Sequence, residues 1–454
     1  MQEQAAAARQ EQAVTVPARD KQAAEAQASQ RRLRWHWVQA SVWTDRMLAA
    51  LENGVKGGVW FSLIDKVYAP GNLRCAWACA WENKGAPGAD RITLETYGRD
   101  VEANLRWLSQ QLAAGTYRPQ AIRRVQIPKP DGGKRPLGIP TVRDRIVQGA
   151  VRHVIEPIFE QRFAAHSYGF RPGKGCKDAL RRVEQLLRQG YRYVVDVDLK
   201  SYFDTIPHEK LMARVRERVA DGRVLKLIES FLKANIMEGL SQWEPTSGAP
   251  QGAVLSPLLS NVYLDPLDHL MARLGYQMTR YADDIVIQCQ SEQEAQAALE
   301  QVKRWTEQHG LTLHPTKTKI VDARQEPFEF LGYRFERGRK WPRDKSMAKL
   351  RRTIADKTPR KDGRSLEVII ADVNSTLRGW FVYFKHSHRA IFREVDGFAR
   401  RRLRRLLRKR QKRKGHGRTL SDHFRWPNAF FAERGFYSLT EARLRLLQAA
   451  KAAH

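Results

Sequence analysis

Two pairs of aspartates in strand-like surroundings constrain this chain more than any other feature of its sequence. The segment "VVDVDLKSYFD" places Asp196 and Asp198 two positions apart, so that both side chains point to one face of a β-strand. Val195, Val197 and Leu199 then lie on the opposite face, which we expect to be buried in a core. Acids on a strand built for burial are costly unless a cation binds them.

A second segment, "RYADDIVIQC", places Asp283 and Asp284 side by side in a predicted hairpin. Either pair alone favours a simpler role, in capping a turn or in pairing with one of the many arginines. Both pairs together, on strands that can lie side by side, predict a cluster of three or four carboxylates. Such a cluster needs divalent metal, and its hard oxygen ligands suit Mg²⁺ or Mn²⁺ rather than zinc. Two such ions, about 3.5–4 Å apart, serve phosphoryl transfer.

The net charge of +31 over 454 residues makes nucleic acid the expected partner, because a polyanion offsets the self-repulsion. The run "FARRRLRRLLRKRQKRKGHGR" has leucines among its arginines, which predicts a helix with an apolar stripe that contacts nucleic acid. A membrane is the weaker partner, since no apolar run approaches the roughly 20 residues that span a bilayer. The four cysteines predict reduced thiols, without a disulfide framework or a zinc module in the last third.

Helix and strand patterns divide the chain into regions. Residues 1–30, rich in Ala, Gln and Glu, predict a frayed helix or a disordered tail. The segment "AIRRVQIPKPDGGKRPLGIPT" predicts two strands joined by a Pro-Asp-Gly-Gly turn, and "YQMTRYADDIVIQC" predicts a hairpin. Helical patterns precede and separate these strands, and the last third is helical and very basic.

Together these segments resemble the catalytic core of reverse transcriptases, specifically those encoded by bacterial group II introns. "YADD" and "DVDLKSYFD" resemble the catalytic motifs, while "IPKPDGGKRPLGIPTVRDRIVQ" and "YGFRPGKGCKDAL" resemble the fingers. "SGAPQGAVLSPLLSNVYLDPLD" resembles the segment beneath the incoming nucleotide, and "HPTKTKI" and "FEFLGYRF" resemble the last two polymerase motifs. "LRGWFVYFK" and "FFAERGFYSL" resemble the maturase region, which forms the thumb. The similarity runs from about residue 60 to about residue 440.

The resemblance implies an α+β fold: a right-hand polymerase with fingers and palm around a small antiparallel sheet, plus an all-helical thumb, or maturase, domain. It also implies four consecutive parts of the chain. These are a low-complexity tail over 1–30, an N-terminal extension of the fingers over 31–118, fingers and palm over 119–340, and a basic helical thumb with a nucleic-acid-binding segment over 345–454.

By the same resemblance, Asp198 and Asp283 are the principal metal ligands, and Asp284 is the second acid of its motif. Asp196 is either a supporting acid or a strand-end residue. The implied cofactor is a pair of Mg²⁺ ions, with Mn²⁺ as a substitute. The catalytic role implied for Lys317 in "PTKTK" is to protonate the departing pyrophosphate, although spacing barely separates it from its neighbour Lys319.

The resemblance further implies a set of nucleotide contacts: Lys129, Arg135, Phe203, Gln251 and Gly252. The two cations flank a turn and suit a triphosphate, which an arginine can bind through two hydrogen bonds. The aromatic ring would exclude ribonucleotides, because the 2′-hydroxyl distinguishes the two sugars, although core packing is its simpler role. The glycine permits close approach of the backbone to a nucleotide.

The implied function is RNA-directed DNA polymerisation, joined to a maturase role in which the protein binds intron RNA to assist splicing and retrohoming. The implied partners are group II intron RNA, an RNA template with a DNA or RNA primer, target DNA and dNTPs, with no membrane. The location is the bacterial cytoplasm, with association to the nucleoid on DNA. Because neither cysteine pairs nor an H-N-H pattern accompanies "FYSLTEARLRLLQAAKAAH", we expect no endonuclease and a primer from elsewhere.

Alternatives remain at this level. The chain could act only as an RNA-binding splicing cofactor, which needs the basic regions but not the aspartates. It could also be a domesticated or defence-associated reverse transcriptase that shares the palm. A viral RNA-dependent RNA polymerase is disfavoured because its motif usually reads GDD, and a passive nucleic-acid binder would leave the acids unexplained.

Overall fold

The computed structural model describes residues 18–128 and 133–452. The helices are α1 (Ala18–Arg34), α2 (Asp45–Asn53), α3 (Ile64–Tyr68), α4 (Pro70–Asn83), α5 (Leu94–Gly98), α6 (Val101–Ala114), α7 (Val142–Glu160), α8 (Cys176–Arg188), α9 (Tyr202–Thr205), α10 (His208–Arg216), α11 (Gly222–Leu232), α12 (Ser256–Arg273), α13 (Glu292–Gln308), α14 (Asp344–Lys357), α15 (Leu366–Phe384), α16 (Ala390–Arg410), α17 (Leu420–Arg425), α18 (Asn428–Glu433) and α19 (Leu439–Ala452), with a short 3₁₀ turn at Lys56–Gly58. The strands are β1 (Ile122–Pro128), β2 (Lys134–Ile139), β3 (Tyr193–Asp198), β4 (Ile236–Glu238), β5 (Ser241–Trp243), β6 (Gln277–Tyr281), β7 (Asp284–Cys289), β8 (Lys319–Asp322), β9 (Phe328–Phe330), β10 (Tyr333–Glu336) and β11 (Arg339–Pro342).

The chain forms two compact units that interleave along the sequence. The first unit comprises Met1–Lys174, Ser201–His269 and Thr306–Thr312. The second unit comprises Gly175–Lys200, Leu270–Trp305 and Leu313–His454. This division does not test the four consecutive parts expected from the sequence, which stay a prediction.

The first unit contains a sheet with the strand order β2-β1-β4-β5. Strands β1 and β2 pair antiparallel from Arg123 and Ile139 to Pro128 and Lys134, which confirms the predicted pair of strands. The turn between them, residues 129–132, lies outside the described residues. Strand β4 runs parallel to β1, so this sheet is mixed, and only non-local pairing could show that.

Helix α7 forms much of the core of the first unit, as the pattern "VRDRIVQGAVRHVIEPIFEQRF" predicts. Ile146, Ala150 and Val154 are fully buried along one stripe. At Gly149 an added Cβ would lie 3.3 Å from the Cβ of Ala76 in α4. The small residues at this point therefore let the two helices approach closely.

A buried polar pair links α4 to α7. Asn72, fully buried, donates to the backbone carbonyl of Ala150 at 3.0 Å, and its Oδ1 lies 2.8 Å from Nδ1 of His153. The backbone carbonyl of His153 in turn accepts from the indole N–H of Trp43 at 3.0 Å. Burial, aided by the charge of Arg152, lowers the pKa of His153 to about 4.

The second unit has two sheets and a helical region. One sheet has the order β6-β7-β3-β8 and the other β11-β10-β9, and all printed strand pairs in them are antiparallel. Helices α14, α15, α16 and α19 share a hydrophobic core that includes Ile354, Val373 and Phe392. The buried Leu403 and Leu406 confirm the predicted apolar stripe in the basic helix α16. The α+β class is thus confirmed.

No helix within the described ranges is long and apolar enough to cross a lipid bilayer.

Acid should destabilise the first unit through His153. The folded state favours the neutral imidazole, so the stability it protects is complete above pH 6.5 and is lost as the pH falls toward about 4. Each pH unit in that window costs up to about 1.4 kcal/mol. Urea unfolding of His153→Asn, followed by tryptophan fluorescence from pH 7 to pH 4, should show a shallower acid limb than the wild-type protein. An unchanged limb would assign the acid sensitivity to another group.

Candidate active site

Strand β3 presents the first acid pair on one face of its sheet. Val195 and Val197 are 0% and 2% exposed, while Asp196 and Asp198 are half-buried. The burial alternates as the sequence predicts, and Leu199, at 6% exposure, continues the buried row. Packing of the apolar face therefore fixes the strand, and the acids project from the opposite face.

The second acid pair lies in the predicted β6–β7 hairpin, where a two-residue turn joins Tyr281 to Asp284. Ala282 in this turn has a φ of 57°, which costs a non-glycine residue conformational energy. The fully buried Arg280 donates to the Ala282 carbonyl oxygen at 3.0 Å and so supports the turn. Asp283 is the half-buried second residue of the turn, and Asp284 begins β7.

The antiparallel register of β3 and β7 sets Asp198 directly opposite Asp284. Residues opposed in this way share a sheet face with Cβ atoms about 4.5–5.5 Å apart, where like charges repel. Asp196 lies on the same face, opposite Val286. The predicted meeting of acids from two strands thus occurs between Asp198 and Asp284, and the roles assigned to Asp198 and Asp283 as principal ligands stay a prediction.

Carboxylates on this face influence one another. Burial is the main cause that raises the pKa of Asp196, to about 6. The nearby carboxylates of Asp284, Asp198 and Glu329 also raise it, while Lys319 lowers it. A buried acid among three others is costly in the charged state, which is the condition that a bound cation relieves.

Glu329 is an acid that our sequence analysis missed. It lies in β9 between Phe328 and Phe330, which are buried while Glu329 is exposed. The signal was present in "FEFLG", because an acid between two core phenylalanines must face away from the core. What the sequence could not show was that this face contributes to the surroundings of Asp196.

The two lysines that compete for the catalytic role meet different acids. The Lys317 ammonium lies 3.2 Å from Oδ2 of Asp198, whereas Lys319 is the strand partner of Asp196. The Lys317 ion pair is partly exposed, with 59% of the lysine side chain accessible. Such pairs contribute only about 0–1 kcal/mol, so Lys317 can exchange Asp198 for another anion at little cost.

The chemistry of the donors fits a hard divalent cation. Within residues 18–128 and 133–452, no three His, Cys, Asp or Glu side chains converge in a geometry that holds a metal ion. The acids that share the face of β3 and β7 nevertheless offer only carboxylate oxygens, the ligands that Mg²⁺ and Mn²⁺ prefer. The raised pKa of Asp196 marks a surplus of negative charge that such a cation would balance.

A cavity of about 560 Å³ adjoins the acids within the second unit. Asp196, Asp284 and Glu329 line one side, and the segment Phe330–Gly332 lines another. The carbonyl of Leu331 accepts a hydrogen bond from the Tyr383 hydroxyl at 2.6 Å, which fixes this segment. The segment that resembles the support of a primer end is thus placed beside the acids.

The first unit brings together the described part of the predicted nucleotide contacts. Nε of Arg135 donates to Oε1 of Gln251 at 2.7 Å, and the Gly138 amide donates to the Gln251 carbonyl at 2.7 Å. Gly252 has a φ of 107°, and a Cβ there would lie 2.5 Å from the Gly138 carbonyl oxygen. Lys129 lies outside the described residues, so its predicted contact stays a prediction.

Phe203 lies in the short helix α9 of the first unit. Its ring is half-buried and packs edge-on against Tyr202 at 5.4 Å, and its carbonyl accepts from the Ala249 amide at 2.7 Å. That bond ties Phe203 to the segment that continues to Gln251. A ring that is only half-buried leaves surface for another contact, which complete core packing would not.

Two family models match this chain. Residues 127–335 match the reverse transcriptase family, described as RNA-dependent DNA polymerases. Residues 347–424 match the maturase-specific domain of group II introns. The first match contains all the acids described above, and the second contains α14, α15 and α16.

Known proteins show the same relationship. Protein YkfC of Escherichia coli is 43% identical over 196 residues, which cover 42% of this chain and 51% of YkfC. The group II intron-encoded protein LtrA of Lactococcus lactis is 38% identical over 206 residues, 45% of this chain and 34% of LtrA. Among solved structures, a chain of a partial Cas6-RT-Cas1–Cas2 complex has a TM-score of 0.36 and 26% identity, covering 54% of this chain and 41% of its own length.

These matches and the arrangement of acids define a reverse transcriptase with a maturase-specific domain. The chain belongs to the family of group II intron-encoded reverse transcriptases. The matched segment spans about half of YkfC and about a third of LtrA. The expected absence of an endonuclease and the expected cytoplasmic location stay predictions.

The close approach at Gly252 gives a structural test of the nucleotide contacts. Gly252→Ala should lower the free energy of unfolding by more than about 1 kcal/mol, because its Cβ would meet the backbone of β2. The matched control is Gly239→Ala, since Gly239 also has a positive φ, of 63°, but nothing within 4 Å of an added Cβ. Urea titration of both variants measures the difference, and equal losses would contradict the steric account.

Proposed function

We propose that this chain is a Mg²⁺-dependent RNA-directed DNA polymerase that also binds group II intron RNA as a maturase. The observation that carries the polymerase proposal is the register of β3 and β7, which opposes Asp198 and Asp284 beside the turn that holds Asp283. A reverse transcriptase domain implies dependence on divalent metal in general, and the choice of Mg²⁺ is part of the proposal.

Asp198, Asp283 and Asp284 would hold the metal, with Mn²⁺ as a substitute for Mg²⁺. When bound, two such ions lower the pKa of the primer 3′-hydroxyl and stabilise the departing pyrophosphate. The chain itself fixes the acids by burying the opposite face of β3 and by supporting the hairpin turn through Arg280. The carboxylates therefore need little reorganisation when the reaction begins.

We assign the proton transfer to Lys317. In the reaction, the primer 3′-oxygen bonds to the α-phosphorus of a dNTP, and the bond from that phosphorus to the bridging oxygen breaks. A proton from Nζ of Lys317 would pass to the departing pyrophosphate. Its position 3.2 Å from Asp198 supports Lys317 over Lys319, whose strand partner is Asp196.

The first unit would supply the contacts to the nucleotide. Arg135 presents a guanidinium that Gln251 already orients at 2.7 Å, and a guanidinium can bind a triphosphate through paired hydrogen bonds. The positive φ of Gly252 holds the adjacent backbone close to β2. Phe203 would restrict the space at the sugar 2′-position, which selects deoxyribonucleotides.

The maturase proposal depends on a different part of the chain. The match to the maturase-specific domain covers residues 347–424, where the basic helix α16 is folded onto a hydrophobic core. Because that core holds the helix, its arginines form a defined surface rather than a flexible tail. The partners proposed are intron RNA, an RNA template with a DNA or RNA primer, target DNA and dNTPs, in the bacterial cytoplasm and on the nucleoid. The maturase-specific domain favours this assignment over a domesticated or defence-associated enzyme.

Asp283→Asn should abolish polymerisation. Loss of one carboxylate from a metal-binding set should reduce dTTP incorporation on poly(rA)/oligo(dT) with Mg²⁺ by roughly 10²–10³-fold or more, while RNA affinity is retained. Asp204→Asn is the matched control, since Asp204 is an exposed aspartate of α9 to which we assign no role. Near-normal incorporation by Asp283→Asn would refute the polymerase site.

The same variant separates the two proposed activities. Asp283→Asn should still promote splicing of its group II intron RNA, because RNA binding depends on the basic regions. Splicing with no incorporation by the wild-type protein would leave only the splicing cofactor. Incorporation without any effect on splicing would instead favour a domesticated or defence-associated enzyme.

Replacement of Phe203 should relax selection of the sugar. Phe203→Ala should raise the ratio of rNTP to dNTP incorporation by roughly tenfold or more, because the ring no longer occupies the space for a 2′-hydroxyl. Tyr202→Phe is the control, since it removes a buried hydroxyl that donates to the Ser260 carbonyl at 2.8 Å. That control should change stability but not sugar selection, and an unchanged ratio in Phe203→Ala would assign Phe203 to packing alone.

A further inference from the structure

A cavity of about 700 Å³ in the second unit carries strong positive charge away from the acids. Its volume is that of a ligand site. The lining contains six arginines against one glutamate among the described residues: Arg351, Arg393, Arg400, Arg401, Arg404 and Arg418. An excess of this size in a concave site repels itself and is stable only if an anion offsets it.

Helix α16 builds one wall of the cavity. Arg393, Gly397, Arg401 and Arg404 follow each other at intervals of three or four residues and so share one helical face. The opposite wall is the loop that follows the helix. Gly417 has a φ of 73°, and an added Cβ would lie 3.1 Å from the Arg401 carbonyl oxygen. The glycine thus lets the loop lie against α16 and carry the next residue, an arginine, into the lining.

Two of the six arginines stabilise the fold. Arg404 is 2% exposed, and it donates to the Trp426 carbonyl at 2.9 Å and to Oδ1 of Asn428 at 3.0 Å. Arg351 forms an ion pair with Glu394, the glutamate of the lining. These two cations therefore have partners already, and the remaining four account for the excess charge.

Three of the remaining arginines have no acidic partner in the described part of the chain: Arg393, Arg401 and Arg418. Arg393 and Arg418 are exposed, and Arg401 is half-buried with its guanidinium 5.2 Å from the ring of Phe398. Burial, and then the charges of Arg418 and Arg351, lower the pKa of Arg401. The guanidinium groups of the two walls are therefore close enough to repel one another.

Arg400 adds a polar group without a partner. Its Nε is buried and has no hydrogen-bond acceptor within the described residues. The buried acid of the same helix, Asp396, already accepts from the amides of Leu439 and Thr440 at 2.9 and 3.1 Å. The fold therefore uses that acid to cap α19, not to balance the cavity.

Gly397 is the second, independent indication of a ligand. A glycine in the interior of a helix is less stable than alanine, and here a Cβ would meet nothing within 4 Å. Packing within the chain therefore does not require glycine at this position. It lies in the cavity wall between the arginines, where the absence of a side chain lets another molecule approach the helix backbone.

We propose that this cavity binds adjacent phosphates of a sharply turned RNA backbone. The inference rests on the proposed binding of RNA and adds the place and the chemistry of one contact. Guanidinium groups bind phosphate through paired hydrogen bonds, and a concave site accepts a protruding backbone turn in which closely spaced phosphates need several cations at once. The contact reads backbone shape rather than base sequence.

The charge test uses R393Q/R401Q/R418Q in the full chain. A fluorescein-labelled RNA stem–loop with an internal bulge is titrated by anisotropy at several NaCl concentrations. The variant should bind at least tenfold more weakly than the control R46Q/R99Q/R106Q, which removes the same charge from exposed arginines of the first unit. Its plot of log K against log salt should also lose about 0.7–0.9 per phosphate contact. Equal affinity and slope in the two variants would overturn the proposal.

The glycine test separates binding from folding. Gly397→Ala should keep or raise the melting temperature and yet weaken RNA binding severalfold. Gly379→Ala is the matched control, because Gly379 is also an exposed helix-interior glycine with nothing within 4 Å of an added Cβ, and it lies outside the cavity. Weaker binding by Gly397→Ala alone supports the proposal, and unchanged binding contradicts it.

Inorganic pyrophosphate distinguishes a free anion from RNA. If pyrophosphate raises the melting temperature of the wild-type protein but not of R393Q/R401Q/R418Q, while both bind RNA equally, the cavity is a site for small anions and the proposal fails. A wild-type chain that binds no RNA would overturn this inference together with the maturase proposal. A wild-type chain that binds and copies RNA, with cavity variants that match their controls, would overturn this inference alone.

Discussion

The register of β3 with β7 is the constraint on which the candidate active site depends. In this register Asp198 lies opposite Asp284, and a slip of one residue would turn every side chain of one strand to the other face. Val195 and Val197 prevent the slip because it would move them out of the core. Burial of apolar side chains on one face therefore holds like charges together on the other.

The same physical situation occurs twice in the second unit, with opposite sign. Carboxylates raise the pKa of Asp196 on the strand face, and guanidinium groups crowd Arg401 on α16. In both places a hydrophobic core holds charges that would otherwise move apart. Both sites therefore contain charge that only another species can balance, which for the acids is a divalent cation and for the arginines a phosphate backbone.

Local patterns predicted most of the elements near these sites. The alternation in "VVDVDL" gave β3 and its buried face, and the leucines among arginines gave the amphipathic helix α16. Each of these depends on neighbours within a few residues, which a sequence displays directly. The parallel pairing of β1 with β4 was not predictable in this way, because it joins Ile122 to Ile236.

The sequence by itself determined the acids, the basic character and the family, because motif order and net charge need no coordinates. Only the tertiary structure decided which groups meet: Asp284 opposite Asp198, Lys317 on that same acid 119 positions away, and Glu329 among the carboxylates. It also decided that the arginines of one helix and one loop enclose a cavity. The reason is physical: such contacts depend on strand register and on how the chain returns to itself, and neither is encoded in local periodicity.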